Sequence, residues 1–149
     1  MNEVQSEPIL FRKKQNNIEI ITMNNTKKLN ALSNQMLSEI QYTLDEISKD
    51  NSIKVVIIKG NGKVFCAGHD LKEMISSQTS DDDGKKSMID LFSRCSRLML
   101  SIRNMPQPVI AQVHGLATAA GCQLVASCDM AVAGKQTKFG VNGVNIGLF

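Results

Sequence analysis

Two stretches constrain this chain more than any others. One is Val64-Phe65-Cys66-Ala67-Gly68-His69-Asp70-Leu71-Lys72-Glu73, and the other runs from Pro108 through Gly115-Leu116-Ala117-Thr118-Ala119-Ala120-Gly121 to Cys122. Each reads as an apolar strand that breaks at glycine or small residues and then enters a helix. Such a break leaves backbone N–H groups unpaired and pointing outward. Two breaks side by side hold one anionic oxygen between two N–H donors, the physical description of an oxyanion hole. Each residue also has a plainer reading: Gly68 and Gly121 as turn and packing glycines, and Asp70 as a helix cap.

The rest of the chain alternates strand and helix patterns around these stretches. Residues 1–8 read as a flexible terminus. Ile9–Lys13 and Ile18–Met23 read as two strands of a hairpin, with the turn-forming Lys14-Gln15-Asn16-Asn17 between them. A polar loop over Asn24–Leu32 leads to Ser33, a helix N-cap. Met36, Leu37, Ile40, Leu44 and Ile47 then recur at helical spacing up to about Lys49. Lys54–Gly60 is a short β-branched run of the kind found in a buried central strand of a parallel sheet. After the Gly60-Asn61-Gly62 turn, Val64 and Phe65 read as a short strand.

A short helix is expected over Leu71–Ile75. Ser76–Gly84 is polar, either an exposed loop or a lid over a ligand. Lys85–Asn104 is a helix with Met88, Leu91, Phe92, Cys95, Leu98, Met99 and Ile102 on one face, stopped by Pro106. Val109–Val113 is a strand, Ala119–Cys128 a helix buried on most sides, and Met130–Ala133 a further strand. This alternation suits βαβ units, hence an α/β fold with a parallel sheet.

Composition narrows the function classes. A chain of 149 residues fits one domain, long enough to hide roughly 70% of its extended surface. The net charge of +3 comes without a basic run, and a single Tyr leaves few stacking platforms, so nucleic acid is disfavoured. A modest positive balance suits an anionic small ligand. The four cysteines, Cys66, Cys95, Cys122 and Cys128, form no C-x-x-C pair, so reduced thiols and a cytoplasmic location are expected. The first residues carry acids and no Arg, unlike a mitochondrial leader. No apolar run approaches the ~18 residues of a membrane span. No glycine fingerprint of a nicotinamide cofactor is present. Cys66 and His69 have C-x-x-H spacing without a second pair, so no metal site is expected.

With these residues in view, the chain resembles the crotonase (enoyl-CoA hydratase/isomerase) superfamily. Phe65-Cys66-Ala67-Gly68, then Asp70-Leu71-Lys72-Glu73, matches its first signature. Pro108-Val109-Ile110-Ala111, followed by Gly115, Ala117, Gly121-Cys122, Leu124 and Cys128-Asp129, matches the second. The resemblance runs from about Ile18 to the end, covers the N-terminal portion of a family-length protein, and implies a crotonase-like ββα spiral core over residues 9–149 with the C-terminal helical part absent. It implies an acyl-CoA thioester as substrate or ligand, no bound cofactor, and a homo-oligomer, a trimer or hexamer in the family.

The resemblance also assigns residues. The backbone N–H groups of His69 and Ala120 stand at the oxyanion-hole positions, where they would stabilise a thioester enolate. Ala120 replaces a common glycine yet keeps the N–H. Lys27 or Lys28 is expected near the nucleotide phosphates, and Ala31, Gly68, Asp70, Leu71, Lys72 and Gly121 along the coenzyme and acyl site. Hydratases of the family carry two glutamates that move protons; Gln123 and Gly143 stand at those positions here. Gln123 can orient a water but cannot accept a proton at neutral pH. His69 has a suitable pKa range for acid–base work. A hydratase- or isomerase-like enzyme is therefore the leading expectation. A catalytically weak acyl-CoA-binding or regulatory protein, or an inactive truncated product, is the alternative. Exposed apolar surface and self-association are expected in either case.

Overall fold

The computed structural model describes residues 7–77 and 84–147. Strands β1 (Leu10–Gln15), β2 (Ile18–Met23), β3 (Val55–Gly60), β4 (Val109–Val113) and β6 (Met130–Ala133) form one sheet in the order β1-β2-β3-β4-β6. Only the β1–β2 pair is antiparallel; the other pairs are parallel, as the alternation predicts. Asn16 closes the β1–β2 hairpin at φ 54°, a conformation Asn tolerates better than most residues. The turn is tighter than the four-residue spacer expected, so β1 runs on to Gln15.

Helices α1 (Asn34–Ile47) and α3 (Lys85–Arg103) cover one face of this sheet. The Ser33 side chain caps α1 by accepting the Met36 N–H at 3.1 Å. Met36, Leu37, Ile40, Leu44 and Ile47 are buried, and from α3 so are Leu91, Cys95, Leu98, Met99 and Ile102. They pack with Ile21, Val56, Ile58, Val109 and Ala111 in a single core. The short helix α2 (Leu71–Ser77) and helix α4 (Ala120–Ser127) follow the two signature breaks.

Several expectations need correcting. β3 is buried on one side only: Val56 and Ile58 are inaccessible, whereas Val55 and Ile57 are partly exposed. Both long helices lie on the same side of the sheet, which is why the second face stays open. Val64-Phe65 is not a strand but a single bridge, in which Cys66 pairs with Ala117. That bridge joins a small parallel sheet of β5 (Leu116–Thr118) and β7 (Lys138–Gly140), absent from the sequence reading. Helix α4 buries Ala120, Gly121, Leu124 and Val125 on one face, and Gln123 and Ala126 are exposed. The expected terminus at 1–8 and the lid or loop at Ser76–Gly84 fall largely on residues 1–6 and 78–83, outside the described residues.

Candidate active site

The site grows from two residues whose side chains cannot be enlarged. Gly68 lies at φ +90°, and a Cβ built on it would fall 3.0 Å from the Ala119 Cβ, 3.2 Å from the Thr118 carbonyl oxygen and 3.4 Å from the Ala120 nitrogen. A Cβ on Gly121 would collide with the Cys66 carbonyl at 2.5 Å. The glycines are thus the points where the two breaks touch, as the turn-and-packing reading of these residues requires. The chain order Cys66-Ala67-Gly68-His69 crosses Thr118-Ala119-Ala120-Gly121 at contact distance.

Among the described residues, no backbone or side-chain acceptor takes the His69 N–H. Its neighbours are occupied: Leu32 donates to the Gly68 carbonyl at 2.7 Å, and Ala67 donates to the Leu29 carbonyl at 3.1 Å. Ala120 opens α4, and the first bonds of that helix run from the Cys122 and Gln123 N–H groups to the Ala119 carbonyl at 2.9 and 3.1 Å. The Ala120 N–H precedes them, at the positive end of the helix dipole. Ala119 itself is held at φ 49°, ψ −125°, a region costly for a residue with a side chain. Its N–H donates to the Gly140 carbonyl at 2.9 Å, tying β7 to the same point.

The His69 ring leaves the site toward α3 and meets Phe92 edge-on, with centroids 5.7 Å apart and planes at 77°. Phe92 was expected on the buried face of α3, but it is 45% exposed and serves instead as the ring's contact. Burial pushes the His69 pKa below 6.5; a weaker pull from the Leu32 backbone opposes the shift, though no hydrogen bond reaches Nδ1. The ring is therefore neutral at pH 7. Two buried polar atoms beside Gly68, His69 Nδ1 and Thr118 Oγ1, have no hydrogen-bond partner among the described residues.

The remaining predicted residues separate into two groups. Asp70 is buried and caps α2: its Oδ1 accepts the Lys72 and Glu73 N–H groups at 3.1 and 3.4 Å. Its Oδ2 accepts from Lys28 Nζ at 2.6 Å. Burial alone would raise the Asp70 carboxyl, but the Lys28 hydrogen bond and the two N–H groups hold it below the ordinary carboxylate value. Asp70 in turn raises Lys28 above the ordinary lysine value. Lys27, on the same short helical turn Thr26–Lys28, is exposed, as are Leu71 and Lys72. Ala31 is buried behind them. Gln123 is exposed on α4, and Gly143 follows β7 in the turn Asn142–Ile146.

Cys66 is fully buried and its thiol is pushed up to about 12 by burial, so no thiolate is available for metal or nucleophilic chemistry. No group of three or more His, Cys, Asp or Glu among the described residues stands close enough to hold a metal ion.

The enoyl-CoA hydratase/isomerase family profile matches residues 13–149. The chain belongs to the enoyl-CoA hydratase/isomerase family. Among its curated relatives is the human enoyl-CoA hydratase domain-containing protein 3, mitochondrial, 48% identical over 132 residues; the match covers 89% of this chain and 42% of that protein. A probable enoyl-CoA hydratase of Bacillus subtilis is 33% identical over 131 residues, covering 88% of this chain and 48% of the relative. Among solved structures, an enoyl-CoA hydratase from Mycobacterium smegmatis superposes with a TM-score of 0.89 at 44% identity, covering 96% of this chain and 54% of that one. Human enoyl coenzyme A hydratase domain-containing protein 3 gives 0.87 at 44% identity, covering 95% and 54%. The fold is therefore the crotonase fold of this family, in its N-terminal portion. The chain spans about half the length of the curated relatives it matches.

Proposed function

We propose that the chain binds an acyl-CoA thioester and stabilises an enolate oxyanion between the N–H groups of His69 and Ala120, as an enoyl-CoA hydratase- or isomerase-like enzyme. One observation carries this reading. A Cβ on Gly68 would stand 3.4 Å from the Ala120 nitrogen, and among the described residues neither the His69 nor the Ala120 N–H has an acceptor. One such donor is worth about 3–4 kcal/mol of transition-state stabilisation when it meets developing charge in a water-poor site. Membership of the family supports an acyl-CoA ligand, and no separate cofactor is required.

The other roles follow from placement. Lys28 is committed to Asp70, so Lys27 and Lys72 are the cations proposed for the coenzyme phosphates. Ala31 and Leu71 supply apolar contact beside them. Gln123 can hold a water but not take its proton, and Gly143 can do neither. The His69 ring, with an unpartnered Nδ1 but turned toward α3 and Phe92, is the acid–base candidate we propose for a proton-transfer role. A homo-oligomer in the cytoplasm completes the proposal.

Calorimetric titration with crotonyl-CoA tests it. Saturable binding that weakens when a simple crotonyl thioester replaces the coenzyme, followed by loss of the enoyl ultraviolet absorption on turnover, is the expected result. A folded sample that binds neither compound overturns the reading. Binding without turnover would leave the oxyanion site standing and remove the catalytic half of the proposal.

A further inference from the structure

We infer that Asp70 is a positioning residue: its ion pair with Lys28 ties the Asn24–Leu32 loop to the segment carrying the His69 N–H, and so sets where that donor points. The inference rests on the acyl-CoA reading above and deepens it. It removes Lys28 from the set of phosphate-binding cations and gives it a part in the oxyanion hole.

The geometry is a row of cross-ties. Ala67 donates to the Leu29 carbonyl at 3.1 Å, Leu32 donates to the Gly68 carbonyl at 2.7 Å, and Lys28 Nζ meets Asp70 Oδ2 at 2.6 Å. Beyond them, the Asn34 N–H at the start of α1 donates to Glu73 Oε2 at 2.8 Å. His69 sits in the middle of this row, and its N–H takes part in none of the ties. A backbone fixed on both sides leaves that N–H a single direction. Asp70 does two things at once: one carboxylate oxygen starts α2 by accepting the Lys72 and Glu73 N–H groups, and the other reaches back to the loop. The carboxylate is 6% exposed while the Lys28 side chain is 48% exposed. A cation drawn onto a buried carboxylate is an orientation device, since an exposed ion pair by itself adds little stability. Misplacement of a catalytic donor by a fraction of an ångström is enough to weaken the transition-state contact.

The experiment uses the whole chain and cinnamoyl-CoA, whose conjugated thioester absorbs at longer wavelength when hydrogen bonds polarise its carbonyl. Free coenzyme A serves as the ligand without an acyl group. Lys28→Met and Asp70→Asn are compared with the wild type, and Lys28→Arg with Lys28→Met, after circular dichroism has established folding. Asn keeps the cap on α2, so Asp70→Asn isolates the ion pair; exposed Lys28 can be altered even where Asp70 cannot. The expected result is a smaller red shift at saturation in both variants. Cinnamoyl-CoA affinity should fall roughly tenfold, free coenzyme A should bind as before, and Lys28→Arg should recover the shift. A full red shift at saturation in Lys28→Met, with free coenzyme A and cinnamoyl-CoA weakened alike, would make Lys28 a phosphate ligand and overturn the inference. No red shift in the wild type would remove the hole itself, and this inference with it.

Discussion

Ala119 carries an uncomfortable backbone for a residue with a side chain. At φ 49°, ψ −125° it opens α4 beside the candidate hole, and its methyl group rests against the space that Gly68 leaves. Replacing Ala119 with glycine should relieve about 1–3 kcal/mol of local strain against about 0.5–1 kcal/mol of added chain entropy. The expected outcome is a higher midpoint in urea; an unchanged or lower midpoint would show that the methyl contact outweighs the strain. The reverse substitution, Gly68→Ala, combines a positive φ with a Cβ at 3.0 Å from Ala119. It should cost about 1–3 kcal/mol and weaken thioester binding together with stability.

At the candidate site, His69 and Asp70 contribute to the pH dependence, and away from it Asp50, held at about 2 by Ser52 and Lys14, adds to the acid stage. The folded His69 binds its proton less readily than an ordinary imidazole of pKa 6.5, so the unfolded state takes up more protons as pH falls through that value. Stability from this group is complete above pH 6.5 and declines below it, down to the lowered folded pKa. Asp70 has a depressed pKa against an ordinary value of 3.8. Its contribution is complete above that value and is lost as pH falls through the folded pKa. Urea midpoints measured from pH 8 to pH 3 should therefore fall in two stages, and His69→Ala should remove the first. A first stage of equal size in His69→Ala would assign it to another group.

At the scale of elements, the legible and the illegible parts divide by range along the chain. Helices α1 and α3 could be read because Met36-Ile40-Leu44-Ile47 and Leu91-Cys95-Leu98-Ile102 repeat within each helix. Ser33 announced its cap by residue type alone, and Ser33→Ala should lower stability by about 1 kcal/mol in a thermal melt. The contact between the two breaks was legible because glycine marks the close approach at both. β5 was not: Leu116-Ala117-Thr118 is too short for a period, and its partner β7 lies some twenty residues onward. The Lys28–Asp70 pair spans 42 residues of sequence, and no local pattern announces which cation meets which carboxylate. Phe92 was placed in the core by its spacing, yet its neighbour proved to be a histidine seen only in three dimensions. Local periodicity reports which face is apolar; it does not report what the face meets.

The whole molecule has one finished side and one open side. On the side away from α1 and α3, the pairing register aligns Ile20, Ile57, Ile110 and Met130 in one row across four strands. Ile20, Ile57 and Ile110 are partly exposed, Met130 is 54% exposed, and Val132 beside it is 64% exposed. Phe139, Val141 and Val144 are exposed as well. Contiguous apolar surface of this kind drives association. Sedimentation of the chain should show concentration-dependent self-association, and the double substitution Met130→Glu, Val132→Lys should reduce it with little change in melting temperature. A compact monomer at every concentration would show that this face is tolerated in water.

The sheet order has a further consequence for how the chain comes into being. Strands β1, β2, β3, β4 and β6 lie side by side in the order in which a ribosome would release them. Each emerging strand finds its neighbour already in place and never has to insert between two others. The first edge is closed to further growth by Arg12, Lys13 and Lys14, charges of the kind that blunt an edge strand. Strand order thus follows chain order from a charged edge at β1 to an open edge at β6 among the described residues.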